Sequence, residues 1–186
     1  MAGVRSQLRT LDRALFVTVA RHHDAVLDAF APRVTTSANH GVLWYAVSAA
    51  MTATGPTGRQ AARAGLISMG LASAVANGPA KWIARRPRPD LGPVPPLRRL
   101  RRQPRTTSFP SGHSATAAGF AAAVAMESPA LAVPVVALAA GVAYGRVHIG
   151  VHYPSDVAAG IALGVASAVI VRRLRRPRQV RPDAAH

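Results

Sequence analysis

Residues 112–144 read GHSATAAGFAAAVAMESPALAVPVVALAAGVAY, and Glu127 is the one formally charged side chain in that stretch. Two uncharged, Ala- and Val-rich runs meet at Glu127-Ser128-Pro129, where proline marks a turn between helices. Uncharged runs joined by arginine-rich connections read as membrane spans and not as a soluble surface. We read Gly112 to about Glu127 and about Leu131 to Tyr144 as two membrane spans.

The same pattern extends in both directions. Downstream, Asp156 to Val171 forms another span, and GIALG at Gly160 to Gly164 places two small residues four apart on one helix face, suited to close helix packing. Arg172, Arg173, Arg175, Arg176 and Arg178 follow it and favour a cytoplasmic C-terminus, with residues 173–186 expected as a basic disordered tail. Upstream, Ala61 to Ala80 carries Arg63 near one end and is otherwise small and apolar. Before it, Gly41 to Ala53 is short for a bilayer and needs residues from about Thr36 to complete a crossing. An amphipathic helix is expected over 8–30, where Leu11, Leu15, Val19, Val26 and Phe30 share a side. Arg21, His22, His23, Asp24 and Asp28 interrupt it, which favours lying in the interface over spanning. The opening MAGVRSQLRTLDRALF lacks an uninterrupted signal-peptide core and is expected to belong to the mature protein.

The expected fold is thus all-α, a polytopic membrane helix bundle of about five or six spans in one domain over 1–186. With 186 residues and 49% hydrophobic content, the chain suits one core and not two. A net charge of +16 raises the possibility of a nucleic-acid partner. No aromatic stacking pattern, zinc-finger spacing or basic recognition helix accompanies it, so anionic bilayer is the expected partner and nucleic acid is not. The absence of cysteine excludes disulfide and thiolate chemistry. Oligomeric state is not legible.

Between Lys81 and Pro110 lies a proline-rich loop with nine Lys or Arg residues, most of which are expected as solvated or membrane-facing surface. An up-and-down path brings Lys81, Ser111 to His113, and Arg146 to Asp156 to one membrane face. Three local patterns occupy those segments: Lys81-Trp-Ile-Ala-Arg-Arg-Pro-Arg88-Pro89, Pro110-Ser-Gly-His113, and Arg146-Val-His-Ile-Gly-Val-His152-Tyr-Pro-Ser-Asp156.

In these motifs the chain resembles the phosphatidic-acid phosphatase type 2 superfamily, which includes membrane lipid phosphatases, soluble acid phosphatases and vanadium haloperoxidases. The resemblance covers Lys81 to Asp156. It implies that Lys81, Arg88 and Arg146 bind phosphate oxygens, which agrees with the physical expectation that cations from separate loops can surround a transferring phosphoryl group. It assigns Ser111 and the Gly112 backbone to phosphate as well, at a helix start where N–H groups are free. By resemblance His152 is the nucleophile, Asp156 its orienter, and His113 the proton donor to the leaving oxygen. His148 is a possible site-wall residue. The family usually has serine before the arginine of the third motif, where this chain has Gly145, a change expected to alter loop flexibility or remove a local hydrogen bond.

No cofactor is expected. A metal held by His113, His148, His152 and Asp156 is disfavoured because the adjoining cations would repel it and one acid is a poor basis for a paired-metal site. The resemblance implies hydrolysis of a phosphate ester or diphosphate on a membrane lipid, an isoprenoid or a glycerophospholipid. A non-enzymatic anionic-lipid binder or transporter would explain spans and charge but not the spacing of Ser111, His113, His152 and Asp156. A haloperoxidase fits the compact membrane architecture poorly. Catalysis is expected outside the cytoplasm, opposite the C-terminal arginines, although the nine loop charges taken alone oppose this.

Overall fold

The computed structural model describes residues 2–104 and 106–175, and among these all regular structure is helical. Its helices are α1 (Ala2–Arg21), α2 (Ala25–Ser37), α3 (Val42–Ala53), α4 (Pro56–Asn77), α5 (Pro79–Ile83), α6 (Gly112–Glu127), α7 (Pro129–His148) and α8 (Pro154–Arg175). Proline opens α4, α5 and α7 at the first turn, where its missing N–H leaves no orphan donor.

Helix α6 is the centre, packed against α4, α7 and α8, while α3 leans on α4 and α2 on α7. The approach of α8 to α6 explains the paired glycines. A Cβ at Gly164 would lie 2.3 Å from the Ala115 carbonyl oxygen, and one at Gly160 would lie 2.5 Å from that of Ser111. Any side chain there would push the helices apart. Where α3, α4 and α6 meet, Trp44 and Phe120 are fully buried with ring centroids 5.1 Å apart.

Two helices, α7 and α8, are long and apolar enough to cross a bilayer. Only 39% and 28% of their apolar windows are buried, so most of that surface faces outward, unlike a soluble core helix. Helix α3 has 12 residues, and at about 1.5 Å per residue it covers about 18 Å. The extension expected from Thr36 does not lengthen it. A 3-10 turn at Asn39–Gly41, with His40 at φ 54° and Gly41 at φ 79°, breaks the chain between α2 and α3.

The single helix expected over 8–30 is likewise two. It breaks at residues 22–24, where Asp24 leaves helical geometry and caps α2 by accepting from Leu27 N. At the other end, α8 continues through Arg175, beyond the expected start of the tail. The rest of that tail, including Arg176 and Arg178, lies outside the described residues.

Candidate active site

The chain crowds its motifs around the end of the bundle where α4 stops and α6 and α8 begin. Ser111 is the N-cap of α6, its hydroxyl accepting from Ser114 N at 3.3 Å, and its own N–H donates to the Asp156 carbonyl at 3.0 Å. The starts of α6 and α8 are thereby tied together. A Cβ on Gly112 would sit 2.6 Å from Asn77 Oδ1, so only glycine lets α6 begin against the end of α4.

A cavity of about 690 Å³ opens beside these ends. Lys81, Arg88, Gly112, His113, Arg146 and His152 all line it. Lys81 Nζ donates to Asn77 Oδ1 at 2.9 Å, which aims it from the short helix α5. Arg88 is held by Thr106 and Val151, with Nε donating to Thr106 O at 3.0 Å and Nη1 to Val151 O at 2.6 Å. Arg146 is buried on the last turn of α7, and its Nη1 lies 3.4 Å from Thr35 Oγ1. Burial lowers the pKa of Lys81, and the charges of Arg88 and Arg146 lower it further. Burial lowers that of Arg88 too, with Asp156 opposing.

His152 is buried on the loop between α7 and α8. Its Nδ1 lies 3.7 Å from Asp156 Oδ2, and its Nε2 lies 3.4 Å from Arg88 Nη1. Burial pushes its pKa down to about 4, helped by Arg146 and Arg88 and opposed by Asp156. The ring is therefore neutral at ordinary pH, with a lone pair available on one nitrogen. Asp156 is fully buried in the first turn of α8 and accepts from Tyr153 N at 2.8 Å and from the Ser108 hydroxyl. His113 projects from the first turn of α6, with Nε2 2.7 Å from Asn39 Oδ1.

The structure thus brings together seven of the expected residues, Lys81, Arg88, Gly112, His113, Arg146, His152 and Asp156, with Ser111 behind them as the cap. It does not bring His148. That side chain is fully buried away from the cavity lining, with Nε2 2.9 Å from Asp28 Oδ1. Gly145 also departs from expectation: it belongs to α7 and not to a loop. A Cβ there would meet Thr35 Cβ at 2.9 Å and Ala31 O at 3.0 Å, so the glycine lets α2 pack on α7.

Two loop arginines expected at the surface are engaged inside the protein. Arg98 is 1% exposed and bonds Ala20 O, His22 O and Asp28. Arg86 bonds Asp156, Ser155 and Asp12. Asn39, Thr106 and Ser108 also support the site without having been singled out in sequence. Their one available signal was adjacency, since Thr106 and Ser108 shortly precede the Ser111 motif.

The chain is similar to known proteins in sequence and in fold. Lipid A 1-phosphatase of Rhizobium etli is 41% identical over 80 residues, covering 41% of this chain and 34% of that protein. Decaprenylphosphoryl-5-phosphoribose phosphatase of Mycobacterium tuberculosis is 41% identical over 99 residues, 53% of each chain. The matches thus span about a third and about half of those relatives. Among solved structures, Aquifex aeolicus LpxE aligns with a TM-score of 0.70 at 21% identity, covering 86% of this chain and 93% of that one. The transmembrane PAP2 type phosphatidylglycerolphosphate phosphatase of Bacillus subtilis aligns with a TM-score of 0.67 at 22% identity, covering 90% and 86%. These structural likenesses establish a shared fold. A family model described as the PAP2 superfamily matches residues 62–179, a stretch that holds all three motifs. The chain belongs to the PAP2 superfamily.

Proposed function

We propose that the chain is a multi-pass membrane phosphatase that hydrolyses a phosphate ester or diphosphate on a membrane lipid through a phosphohistidine at His152, without a metal ion. The observation that carries this is the orientation of His152. Its Nδ1 faces the buried Asp156 carboxylate, while Nε2 opens toward a cavity lined by Lys81, Arg88 and Arg146.

In the first displacement Nε2 attacks phosphorus, forming the P–N bond as the bond to the leaving oxygen breaks. His113 gives that oxygen a proton, and Asp156 stabilises the positive charge on the phosphorylated ring. In the second, water attacks phosphorus, the P–N bond breaks, and His113 takes the water proton, so His152 and His113 return to their starting states. Lys81, Arg88 and Arg146, with the amides at the start of α6, stabilise charge on the phosphoryl oxygens throughout. The same three cations would repel a metal ion.

A lipid substrate is supported by the rest of the cavity wall, where Ala38, Gly41, Tyr45, Met69, Gly70 and Ala74 continue away from the cations. It is supported also by the relatives, which are named as phosphatases of lipid A and of decaprenylphosphoryl-5-phosphoribose. We favour an isoprenoid or glycerophospholipid tail and five or six spans. Asp156 lies in the first turn of α8 and the arginines Arg172, Arg173 and Arg175 close it, about 24–29 Å away along the helix. With the positive-inside tendency, this supports our reading of the reaction as extracytoplasmic.

The test is inorganic phosphate release by detergent-purified protein, in EDTA, from isoprenyl phosphates and diphosphates, phosphatidic acid and phosphatidylglycerol phosphate. EDTA-insensitive release that His152→Ala abolishes is expected. Folded wild type silent on the whole panel would point instead to a lipid-binding role, and undiminished release by His152→Ala would sink the mechanism.

A further inference from the structure

We infer that Arg86 and Asp12 are positioning residues that hold Asp156 against His152, which makes the N-terminal helix α1 a working part of the active site; this rests on the phosphohistidine reading above. Arg86 Nη1 donates to Asp156 Oδ1 at 2.8 Å, on the opposite side of the carboxylate from His152. Oδ2 is held by Tyr153 N at 2.8 Å and by the Ser108 hydroxyl, and is the oxygen facing His152 Nδ1. A carboxylate anchored at both oxygens cannot rotate away from the ring without losing bonds in a buried setting.

Arg86 is itself anchored from α1. Its Nη2 bonds Asp12 Oδ2, and Asp12 also accepts from Ser155 N at 2.9 Å and from the Ser155 hydroxyl at 2.6 Å. Asp12 thus caps the first turn of α8, the turn that carries Asp156, from a separate helix. One turn further along α1, Phe16 packs edge-on against Tyr153, and the Arg86 guanidinium lies 4.1 Å above that tyrosine ring. Asp12 is 6% exposed, and two carboxylates share one guanidinium fork. Neither Arg86 nor Asp12 lines the cavity, so neither has a direct hold on substrate.

A residue that acts only by orienting Asp156 changes the chemical step and not binding. Steady-state kinetics on the full chain are therefore compared for wild type, Arg86→Gln, Arg86→Lys and Asp12→Asn, together with the Asp12→Asn/Arg86→Gln double variant. Arg86→Gln is expected to lower kcat about 100-fold with KM within about two-fold, and Asp12→Asn to lower it about 10-fold. Arg86→Lys, which keeps charge but loses the fork, recovers part of the loss. The double variant falls short of the product of the two single losses, because Asp12 acts in part through Arg86 and in part through its own cap on Ser155. Should Arg86→Gln fail to fold, Arg86→Lys and Asp12→Asn decide the question. Wild-type kcat in those two folded variants overturns the inference, and so does a KM that rises in step with the loss, which would make Arg86 a phosphate ligand. Wild type silent on every substrate, or active without His152, overturns the underlying reading instead.

Discussion

Two shielded aspartates in this chain each hold an arginine and a buried histidine, Asp28 taking the exposed His23 as well, yet only one of the two buried trios opens onto a cavity. In the first, Asp28 accepts from Arg98 Nη2 at 3.0 Å on Oδ2, and its Oδ1 lies 2.9 Å from His148 Nε2. In the second, Asp156 takes Arg86 at 2.8 Å and faces His152 Nδ1 at 3.7 Å. The two histidines are four residues apart, so neither composition nor motif membership separates them. What differs is which nitrogen meets the carboxylate and what lies beyond the ring. His148 commits Nε2 to Asp28, stacks on Tyr144 at 5.4 Å, and has its Nδ1 buried. His152 keeps Nε2 facing a cationic cavity. The first trio ties α2, α7 and the basic loop together, whereas the second, in the function proposed above, acts on a phosphoryl group.

Removing the two histidines in turn is the strongest way to break this contrast. His152→Ala is expected to lower kcat by at least about 1,000-fold, as loss of a nucleophile does. His148→Ala should leave kcat within about three-fold, because the ring touches no cavity-lining cation, and should instead cost about 1–3 kcal/mol of stability through its lost bond and packing. Phosphate release measured beside thermal unfolding separates the two, and comparable loss of activity in both would erase the distinction. Arg98→Ala acts on the same side of the comparison. It strips a cation that is 1% exposed from Asp28, Ala20 O and His22 O, for an expected loss of about 3–5 kcal/mol, with near-normal kcat in the protein that stays folded.

A gentler probe is pH. Because burial holds the pKa of His152 at about 4, the ring stays neutral from pH 8 down to pH 5, and kcat/KM should not lose His152 as a base across that range. Below about 4, each further pH unit protonates it and should reduce kcat/KM about ten-fold. The sign for stability is the same. A histidine whose folded pKa is depressed contributes stability fully above its ordinary value of 6.5, and that contribution is lost as pH falls through about 4. An acidic limb in kcat/KM near 6.5, matched by a His152 imidazole NMR resonance that titrates there, would mean that the ring is hydrated, like a surface histidine.

The sequence made the second trio more legible than the first because the second sits inside short-range motifs. His152 and Asp156 are four apart across a proline helix start, and uncharged runs announced α6, α7 and α8 with few errors beyond their ends. The first trio joins residues 28, 98 and 148, and no local pattern links positions so far apart. Arg98 read as one of many loop charges, and only packing against the end of α1 distinguishes it. Arg86 was nearer to being readable. It sits inside the first motif, two residues before Arg88, but an extended chain sets residues two apart on one face, so spacing alone does not part the two. In the structure Arg88 meets the cavity and Arg86 the far side of Asp156. The break at residues 22–24 was hidden for another reason: Asp24 interrupts an apolar stripe as easily on a helix face as at a cap.

The smallest expected effect concerns the cavity wall that distinguishes the two trios. Gly70 lies in the interior of α4, has no left-handed backbone, and a Cβ built on it meets nothing within 4 Å. Neither strain nor close packing asks for glycine there, and helix propensity favours alanine by about 1 kcal/mol. Its distinguishing property is that it lines the cavity beyond Lys81 and His113. Gly70→Ala should therefore raise stability by up to about 1 kcal/mol with little kinetic change. Gly70→Leu should reach into the space and reduce kcat/KM about 10-fold for a long-tailed lipid phosphate, while a short water-soluble phosphate ester is hydrolysed as before. Since the residue touches neither His152 nor a cation, the short ester reports the chemistry and the long one reports the tail. If Gly70→Leu slows both substrates equally, the wall acts on the phosphate site. If it slows neither, the tail leaves by another route and this part of the cavity is solvent.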